Sequence, residues 1–525
     1  MAIELAEIIA RLSDPAFYPG ATGVRVEETH ASAVFITGND VYKLKKPVDF
    51  GFLDYSTLER RREMCRLEVE LNRRLAPDIY LGVVPLVLAG GQLRLGGDGE
   101  IIDYLVHMRR LPDEASLRTL ALADAVDDAT IDRIARKIAS FHLEAARGPE
   151  IDRRGTPEAV AGNVEENFEQ IQPYIGRTIS PESYATIAAS ARNFLAERRE
   201  LLEARVAAGM IRDGHGDIRC DHVYLHGGVQ IIDCIEFNER LRYGDVVADI
   251  GFLAMDLDAL NRPDLSDRLI DTYTRETGWD VASVLDFYRS YRAVVRGKVT
   301  SFRLDEPGLG TQEAVAITRE AQRFFHLAHR YSVGDRGPRL LITCGLSGTG
   351  KSTLAAALAE MLPARRIDSD STRKHLAGLE PTARREEAYG AGIYAPGMSE
   401  RVYQALLDAA SEQLDRGRTV ILDATYIRQR DRLAARELAR RHGARFAILH
   451  LTAPEEVIHE RLVARSRDPQ RVSDARWETY LAQRDSADPL DGFAPEEVME
   501  IDAARPIPEQ TRHVLAQLET AAASG

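Results

Sequence analysis

Residues 345–352 read GLSGTGKS, a complete G-x-x-x-x-G-K-S loop of the kind that binds a nucleoside triphosphate. An apolar run at residues 340–344 leads into the loop as a buried strand would, and helical apolar spacing follows it. The loop glycines let backbone N–H groups surround phosphate oxygens, and the next helix presents its positive end. Lys351 would reach the β- and γ-phosphates, and Ser352 would bind Mg²⁺. The residues expected at the nucleotide here are Gly345, Ser347, Gly348, Thr349, Gly350, Lys351, Ser352 and Thr353.

A D-x-x-R pattern, Asp370 to Arg373, follows the second predicted strand of this region. Transfer to a neutral hydroxyl needs a base within hydrogen-bond reach, which Asp370 would supply while Arg373 steadies the acceptor or a phosphate. The alternative is a helix N-cap, because Asp and Ser commonly begin helices. We expect both residues to be catalytic.

Acidic and basic side chains further along complete this second set of candidates. An apolar strand at residues 419–422 ends in Asp423, which we place near the metal ion or its water. Arg461 and Arg465 are four residues apart, so they share a helix face. Arginine forks neutralise charge on a transferring phosphoryl group, although a solvated basic face is the competing interpretation. We expect both arginines at the nucleotide.

This C-terminal pattern resembles the small P-loop kinases that phosphorylate a hydroxyl group. They include polynucleotide 5′-hydroxyl kinases, gluconate kinases, zeta toxins and chloramphenicol phosphotransferases. The resemblance implies that Asp370 activates the acceptor, that Arg373 steadies acceptor or phosphate, and that Asp423 ends a strand of the Walker B type.

A separate set of polar residues begins at His215-Gly216-Asp217 and ends at Asp249. Phosphoryl transfer needs a carboxylate that orients the attacking hydroxyl and acidic metal ligands on a following strand. Asp217 suits the first role, and either Asp233 or Glu236 suits the second. Spacing back from Asp249 favours Glu236, whereas the Ile-Ile-Asp triplet favours Asp233, so both stay candidates.

Residues 20–330 resemble the aminoglycoside phosphotransferase family, which shares the protein-kinase fold and has H-G-D-x-x-x-x-N followed by G-D-x-x-x-D. The resemblance implies that Asp217 is the catalytic base and that Asp249 is structural. His222 stands where the family has a metal-binding Asn. A neutral imidazole can bind a metal ion but suits Mg²⁺ poorly. The candidate metal ligands of this half are therefore His222, Asp233 and Glu236.

The same resemblance assigns roles to the N-terminal strands. Lys43 would be the phosphate-binding lysine of the third strand, with Lys45 on the same face, and Glu68 on the following helix would pair with Lys43. Residues 105–108, with Val106 and Met108, would form the hinge that holds adenine.

The chain is expected to contain two domains. Residues 1–333 predict an α+β, protein-kinase-like bilobal domain, with a sheet lobe over about 1–110 and a helical lobe over about 111–333. Residues 334–525 predict an α/β doubly wound P-loop NTPase domain. The boundary lies in a stretch rich in glycine and proline, residues 331–338.

Composition narrows the environment and the partners. With 525 residues, 44% hydrophobic and 29% charged, the chain resembles an ordinary globular protein of several domains. Its net charge of −14 disfavours bulk nucleic-acid binding. Four scattered cysteines favour a reducing compartment, and neither a signal peptide nor a membrane span is evident. We expect a cytoplasmic protein.

The sequence thus predicts a bifunctional ATP- and Mg²⁺-dependent phosphotransferase, with a hydroxyl group of a small molecule as acceptor at each site. One alternative hypothesis is that the N-terminal domain is a ligand or nucleotide sensor with little catalytic activity, because His222 stands in place of the metal-binding Asn. Another makes the C-terminal domain a kinase of nucleic-acid 5′ ends, because arginine suits phosphate recognition. The oligomeric state and the acceptors are not predicted.

Overall fold

The structure of the protein, a computed structural model, describes residues 3–51, 53–379, 395–466 and 477–523. The chain forms two compact units. The first spans Met1–Asn163, Leu195–Asp256 and Asp267–Tyr288, and the second spans Val164–Phe194, Leu257–Ser266 and Arg289–Gly525. The boundary expected at residues 333–334 does not coincide with this division, because residues 289–332 group with the C-terminal sheet. It stays a prediction for the two functional halves.

Six antiparallel strands form the large sheet of the first unit, in the order β1-β2-β3-β6-β4-β5. Two helices accompany this sheet. These strands confirm the sheet lobe that is expected over about residues 1–110. The elements are α1 (Leu5–Leu12), β1 (Val24–Glu28), β2 (Ser32–Thr37), β3 (Asp40–Lys45), α2 (Leu58–Asn72), β4 (Tyr80–Ala89), β5 (Gln92–Leu95) and β6 (Glu100–Arg109).

Helix α1 is a second helix of the sheet lobe, besides the one that carries Glu68. Its apolar residues recur at helical spacing, and Ile8 and Leu12 are buried. They pack with Phe35 and Leu44 of the sheet. α1 has only about two turns. So short a helix gives a weak periodic signal, so it is hard to predict from the sequence.

Residues 117–332 are mainly helical, with four short strands, as the sequence predicts. β7 pairs with β10, and β8 pairs with β9, each pair antiparallel. The elements are α3 (Leu117–Leu122), α4 (Asp128–Glu144), α5 (Pro149–Asp152), α6 (Pro157–Ile171), α7 (Pro181–Glu197), α8 (Arg199–Ala207), β7 (Ile211–Asp213), β8 (Val223–Leu225), β9 (Val229–Ile231), α9 (Glu239–Arg242), β10 (Tyr243–Asp245), α10 (Val246–Ala259), α11 (Pro263–Thr277), α12 (Ala282–Phe302) and α13 (Thr311–Ser332).

A five-stranded parallel sheet with the order β12-β13-β11-β14-β15 lies in the second unit. Helices alternate with its strands, which confirms the doubly wound α/β class. The elements are β11 (Arg339–Cys344), α14 (Lys351–Met361), β12 (Ala364–Asp368), α15 (Ser369–Leu376), α16 (Pro396–Leu414), β13 (Thr419–Asp423), α17 (Gln429–Arg441), β14 (Arg445–Thr452), α18 (Glu455–Ser466), α19 (Trp477–Ser486), β15 (Val498–Asp502) and α20 (Ile507–Ala523).

Both faces of this parallel sheet are covered by helices. Along β11, Leu341 belongs to a core with α14 and α20, whereas Leu340 and Ile342 belong to a core with α16 and α17. A strand buried on both faces reads as a continuous apolar run, which is why residues 340–344 lack alternation. The glycine loop follows the carboxyl end of β11, and ligands bind at the carboxyl ends of the strands in such folds.

Gly297 of α12 allows a close approach to α13. A Cβ atom at this position would lie 2.8 Å from Cε1 and Cζ of Phe325. We expect Gly297→Ala to lower the unfolding free energy, because an overpacking cost of about 1–3 kcal/mol exceeds the helical gain of about 1 kcal/mol. Gly397→Ala, at an exposed position with open space around the new atom, is the matched control and should not destabilise. The midpoints of urea unfolding measure the stability of the two variants. Equal midpoints for Gly297→Ala and Gly397→Ala would contradict the packing argument.

A buried histidine joins α13 to α20 and β11. His326 Nε2 lies 3.2 Å from Arg339 Nη1, and its Nδ1 lies 3.2 Å from Glu519 Oε1. The guanidinium can only donate, so Nε2 accepts and Nδ1–H donates to Glu519. Burial, with Arg339 adding to it, lowers the pKa of His326 to about 4. The imidazole is therefore neutral in the folded protein at neutral pH.

This neutral histidine gives a pH-dependent stability. An unfolded histidine has a pKa of about 6.5. Below that pH the unfolded chain binds a proton, whereas folded His326 stays neutral until about pH 4. The contribution of His326 to stability should fall by at most about 3 kcal/mol between about pH 6.5 and pH 4. Below pH 4 this contribution should stay constant. His326→Gln can keep both hydrogen bonds without titrating, so its unfolding free energy should decline less across this window. Identical declines in the two proteins would refute the assignment.

Candidate functional sites

Lys43 and Lys45 of β3 bind the same buried carboxylate. Their side chains share a face because residues alternate along a strand. Lys43 Nζ lies 2.9 Å from Glu68 Oε1, and Lys45 Nζ lies 2.5 Å from Glu68 Oε2. Burial opposes ionisation of Glu68, but the two lysines hold its pKa below the ordinary value. The predicted partner of Lys43 thus carries a lysine on each oxygen.

The two lysines have different second partners. Lys43 Nζ lies 3.4 Å from Asp233 Oδ1, and its side chain keeps 18% of its exposure. Lys45 is fully buried and also binds Glu236, which accepts a hydrogen bond of 2.8 Å from Tyr55 Oη. Glu236 is therefore engaged by Lys45 and Tyr55. Of the two acidic candidates, Asp233 is the one beside the more exposed Lys43, and the metal-binding role of both acids stays a prediction.

Asp233 has an unusual backbone conformation. Its φ of 64° is in the left-handed region, which few residues other than glycine adopt and which concentrates at functional sites. The hydroxyl of Tyr80 lies 3.2 Å from the Asp233 backbone N–H, which donates to it. Burial would raise the pKa of Asp233, but the charge of Lys43 lowers it well below its ordinary range. The carboxylate therefore stays ionised.

The loop that carries Asp217 is fixed through its backbone. The two oxygens of Asp249 accept hydrogen bonds from the N–H groups of His215, at 2.6 Å, and Gly216, at 2.8 Å. The His215 ring lies 3.1 Å from the carbonyl of Ile232. These contacts account for the structural role that the resemblance implies for Asp249, and they hold Asp217 in place.

Asp217 lies in a cluster of charged side chains. Arg219 Nε donates to its Oδ1 at 2.9 Å, and His222 Nδ1 lies 3.4 Å from its Oδ2. Burial would raise the pKa of Asp217, but the charge of Arg219 and its hydrogen bond lower it. Within the described residues, Asp217, His222 and Asp233 form a group whose ligand atoms all lie within 4.8 Å of one another. The structure thus brings the predicted base and two predicted metal ligands together.

The hinge expected at residues 105–108 is instead the interior of strand β6. Val106 pairs with Lys43 of β3 and Val83 of β4, and Met108 pairs with Val41 and Tyr80. The ladders on both sides engage the backbone here, so these two residues do not form the connection after the sheet. Their contribution to a nucleotide site would come from side chains, and this role stays a prediction.

The glycine loop has the conformation that its sequence requires. Gly348 and Gly350 have φ values of 86° and 95°. A Cβ atom at Gly345 would lie 2.6 Å from the carbonyl oxygen of Leu451, and one at Gly348 would lie 2.9 Å from Ile458 Cγ2. Only glycine fits this close approach of backbone to neighbouring elements.

Two side chains contact the backbone of the loop. Lys351 Nζ donates to the carbonyl of Leu346 at 2.8 Å. Gln483 of α19 is buried, and its Oε1 accepts the N–H of Ser347 at 2.8 Å. Gln483 lies 136 residues away in sequence, and no local motif marks it. It is a candidate that sequence reasoning did not identify.

Asp423 forms an ion pair that its sequence context does not predict. Arg366 of β12 donates to Asp423 Oδ2 through Nε at 3.0 Å and Nη2 at 2.6 Å. Oδ1 lies 3.5 Å from Thr343 Oγ1. The parallel pairing of β12 with β13 places Asp368 opposite Asp423 at the same edge. Ser352, in the first turn of α14, and Thr353 follow the glycine loop at the edge reached by β11.

The D-x-x-R pair lies at the start of α15. Asp368 is the N-cap, since its Oδ1 accepts the N–H of Ser371 at 2.8 Å. Asp370 is therefore not the cap, which answers the alternative interpretation of the motif. Arg373 is buried, and its Nη1 lies 3.4 Å from Ser399 Oγ.

Arg461 contacts the glycine loop directly. Its Nη1 lies 3.3 Å from the carbonyl of Thr349, and its Nη2 lies 2.8 Å from that of Ala503. The side chain of Arg465 lies outside the described residues. The nucleotide-binding role of both arginines stays a prediction.

The two lysines on Glu68 should respond differently to substitution. Lys45→Met leaves Glu68 and Glu236 buried without their shared cation, so we expect a loss of about 3–5 kcal/mol of stability. Lys43→Met keeps the Lys45 ion pairs, so it should weaken ATP binding with a smaller stability loss. Thermal unfolding and nucleotide titration of each variant test this. Equal stability losses, or unaltered nucleotide binding by Lys43→Met, would contradict the division of roles.

Family models match both halves of the chain. The model described as "Phosphotransferase enzyme family" matches residues 37–286, and the one described as "AAA domain" matches residues 340–489. No helix of the described chain is long and apolar enough to cross a bilayer. A gluconokinase from Sinorhizobium meliloti 1021 is 21% identical, covering 36% of this chain and 95% of its own, with a TM-score of 0.27. The GDP complex of aminoglycoside 2'-phosphotransferase-IIIa is 15% identical, covering 61% and 98%, with a TM-score of 0.35.

Two full-length relatives are more similar. Uncharacterized proteins of Mycobacterium tuberculosis and Mycobacterium bovis are each 35% identical over 445 residues, which is 84% of this chain and 86% of the relative. The chain belongs to the same family as these mycobacterial proteins, and it is a kinase with a phosphotransferase-family domain followed by a P-loop kinase domain.

Proposed function

We propose that the protein is a bifunctional phosphotransferase that moves the γ-phosphoryl group of ATP to small-molecule hydroxyl groups at two sites. One observation carries the proposal for the N-terminal half. Lys43 lies between Glu68 and Asp233, at 2.9 Å and 3.4 Å, so the phosphate-binding lysine and the metal-binding acid meet at one point. The His222 ring lies beside both acids, with Nε2 3.5 Å from Asp233 Oδ2 and Nδ1 3.4 Å from Asp217 Oδ2.

At this first site, Asp217 orients the acceptor hydroxyl and accepts its proton. The low pKa keeps Asp217 ionised at neutral pH, so it can accept a hydrogen bond from the hydroxyl throughout the reaction. Lys43, held by Glu68, binds the triphosphate. Asp233 would hold the magnesium ion, and Glu236 takes no part in metal binding because Lys45 and Tyr55 engage it.

At the second site, the backbone N–H groups of residues 345–352 bind the phosphates, together with Lys351. Ser352 and Asp423 would hold Mg²⁺, which neutralises charge on the β- and γ-phosphates when it is bound. Asp370 orients the second acceptor hydroxyl, and Arg373 steadies the acceptor or the transferring group. Arg366, which now pairs with Asp423, has to share that carboxylate with the ion.

The acceptors are small polyhydroxylated molecules. The gluconokinase and the aminoglycoside 2'-phosphotransferase act on compounds of this kind by their names, and we extend only that chemical class to this chain. A kinase of nucleic-acid 5′ ends is less consistent with the near-neutral charge of residues 336–525.

A metabolite extract incubated with radiolabelled ATP and the full-length protein tests the proposal. We expect labelled products in two sets, one lost with Asp217→Asn and the other with Asp370→Asn. Each variant controls the other, because it should spare the products of the remaining site and keep the fold. Each substitution removes a positioned base, so a loss of at least about 10²-fold is expected.

Two outcomes would contradict the bifunctional proposal. If Asp217→Asn spares every product while the protein still binds nucleotide at two sites, the N-terminal half acts as a sensor. If labelled oligonucleotide 5′ ends replace small molecules among the Asp370-dependent products, the acceptor class of the second site is wrong.

A further inference from the structure

A histidine lies in the first site where protein kinases place a ligand of a second magnesium ion. In protein kinases two ions neutralise the phosphates, and a catalytic-loop Asn holds one of them. Here His222 stands at that position. Its Nδ1 lies 2.9 Å from the backbone carbonyl of Asp217, which can only accept, so Nδ1 carries the proton. Its Nε2 lies 2.8 Å from Arg219 Nη2, which can only donate, so the Nε2 lone pair is already used.

The guanidinium of Arg219 is held at every nitrogen. Nε donates to Asp217 at 2.9 Å, Nη1 lies 3.4 Å from Asp221 Oδ2, and Nη2 donates to His222. Only 15% of the side chain is exposed. Arginine keeps its charge at any physiological pH, and its planar fork suits phosphate oxygens. A permanent positive charge therefore lies against the carboxylate that would orient the acceptor.

A positively charged side chain that the protein holds in place can replace a metal ion that has to bind from solution. Positive charge stabilises a phosphoryl group in transfer when it is positioned before the reaction and shielded from water. The three contacts of Arg219 provide that positioning, and its burial strengthens the interaction. The histidine contributes by accepting from Nη2, a contact that a shorter residue cannot make in the same way.

We propose that Arg219 supplies the positive charge that a second divalent ion supplies in other kinases, and that His222 is the positioning residue that holds it. The first site then binds one ion, at Asp233. This inference rests on the phosphotransfer function proposed above for the same site. The competing arrangement places an ion among Asp217, His222 and Asp233 and requires Arg219 to leave Nε2.

Counting ions in the wild-type protein decides between the two arrangements. The full-length chain is saturated with a non-hydrolysable ATP analogue, and bound Mn²⁺ is measured by electron paramagnetic resonance. One Mn²⁺ per bound nucleotide is expected, since each site then holds a single ion. A clear excess over one would overturn the proposal. We expect Arg219→Ala/His222→Asn to raise the ratio above one, because Asn restores an oxygen ligand.

Chemical rescue tests the charge itself. Arg219→Ala should lower formation of the Asp217-dependent products by about 10²-fold or more, and added guanidinium should restore part of the rate. Urea, which has the same shape without charge, should not. Arg118→Ala is the matched control, because Arg118 lies 3.7 Å from Asp221 but is absent from the contacts of Asp217. Equal rescue by urea, or no loss in the variant, would overturn the proposal.

The positioning role of His222 has its own readout. His222→Ala keeps two of the three contacts of Arg219, so we expect a lower kcat with little change in KM for ATP. A raised KM with unchanged kcat would instead indicate that His222 binds the nucleotide or its ion. If no Asp217-dependent product exists, the proposed function fails, whereas the Mn²⁺ ratio still decides the present inference.

Discussion

The first site depends on a single buried carboxylate, Glu68, that is shared by two lysines. A buried charge is costly unless it is paired, and Glu68 has a cation on each oxygen. Because Lys43 and Lys45 are two residues apart on β3, their side chains lie on the same face, and Glu68 of α2 binds both ammonium groups. Their second partners, Asp233 and Glu236, lie on one stretch of chain near residue 233. The sheet and the acidic segment are thereby aligned by charge rather than by apolar packing alone.

At the second site, backbone N–H groups of the glycine loop are expected to bind the phosphates, in place of lysine side chains from a strand. Its glycine loop leaves a strand whose two faces are buried, so the position of the loop is set by the core of the sheet. The loop has polar contacts with Lys351 and Gln483. Asp423 is likewise paired with Arg366. The charged candidates of this site thus have partners within the protein itself.

The sequence predicts the parts of these sites that are local. The glycine loop, the strands around it and the region of Asp217 follow from spacing, because a motif of this kind brings its own geometry. Contacts between distant segments do not follow in this way. Lys45 with Glu236, Gln483 with Ser347 and Arg366 with Asp423 depend on how strands and helices meet in space. Sequence alone likewise does not show where β6 ends, which is why the hinge expected at Val106 and Met108 falls within the strand. The different partners of Asp233 and Glu236 also follow from the positions of the lysines.

The strand order of the parallel sheet has a consequence for synthesis. β11 occupies the centre, but it pairs with β13 and β14, which are made much later. A nascent chain leaving the ribosome therefore carries an apolar, unpaired central strand until most of the C-terminal residues have emerged. Such non-local pairing slows folding and leaves strand edges open to aggregation in the meantime. Cells that produce this protein should thus rely on chaperones that shield exposed strands during translation.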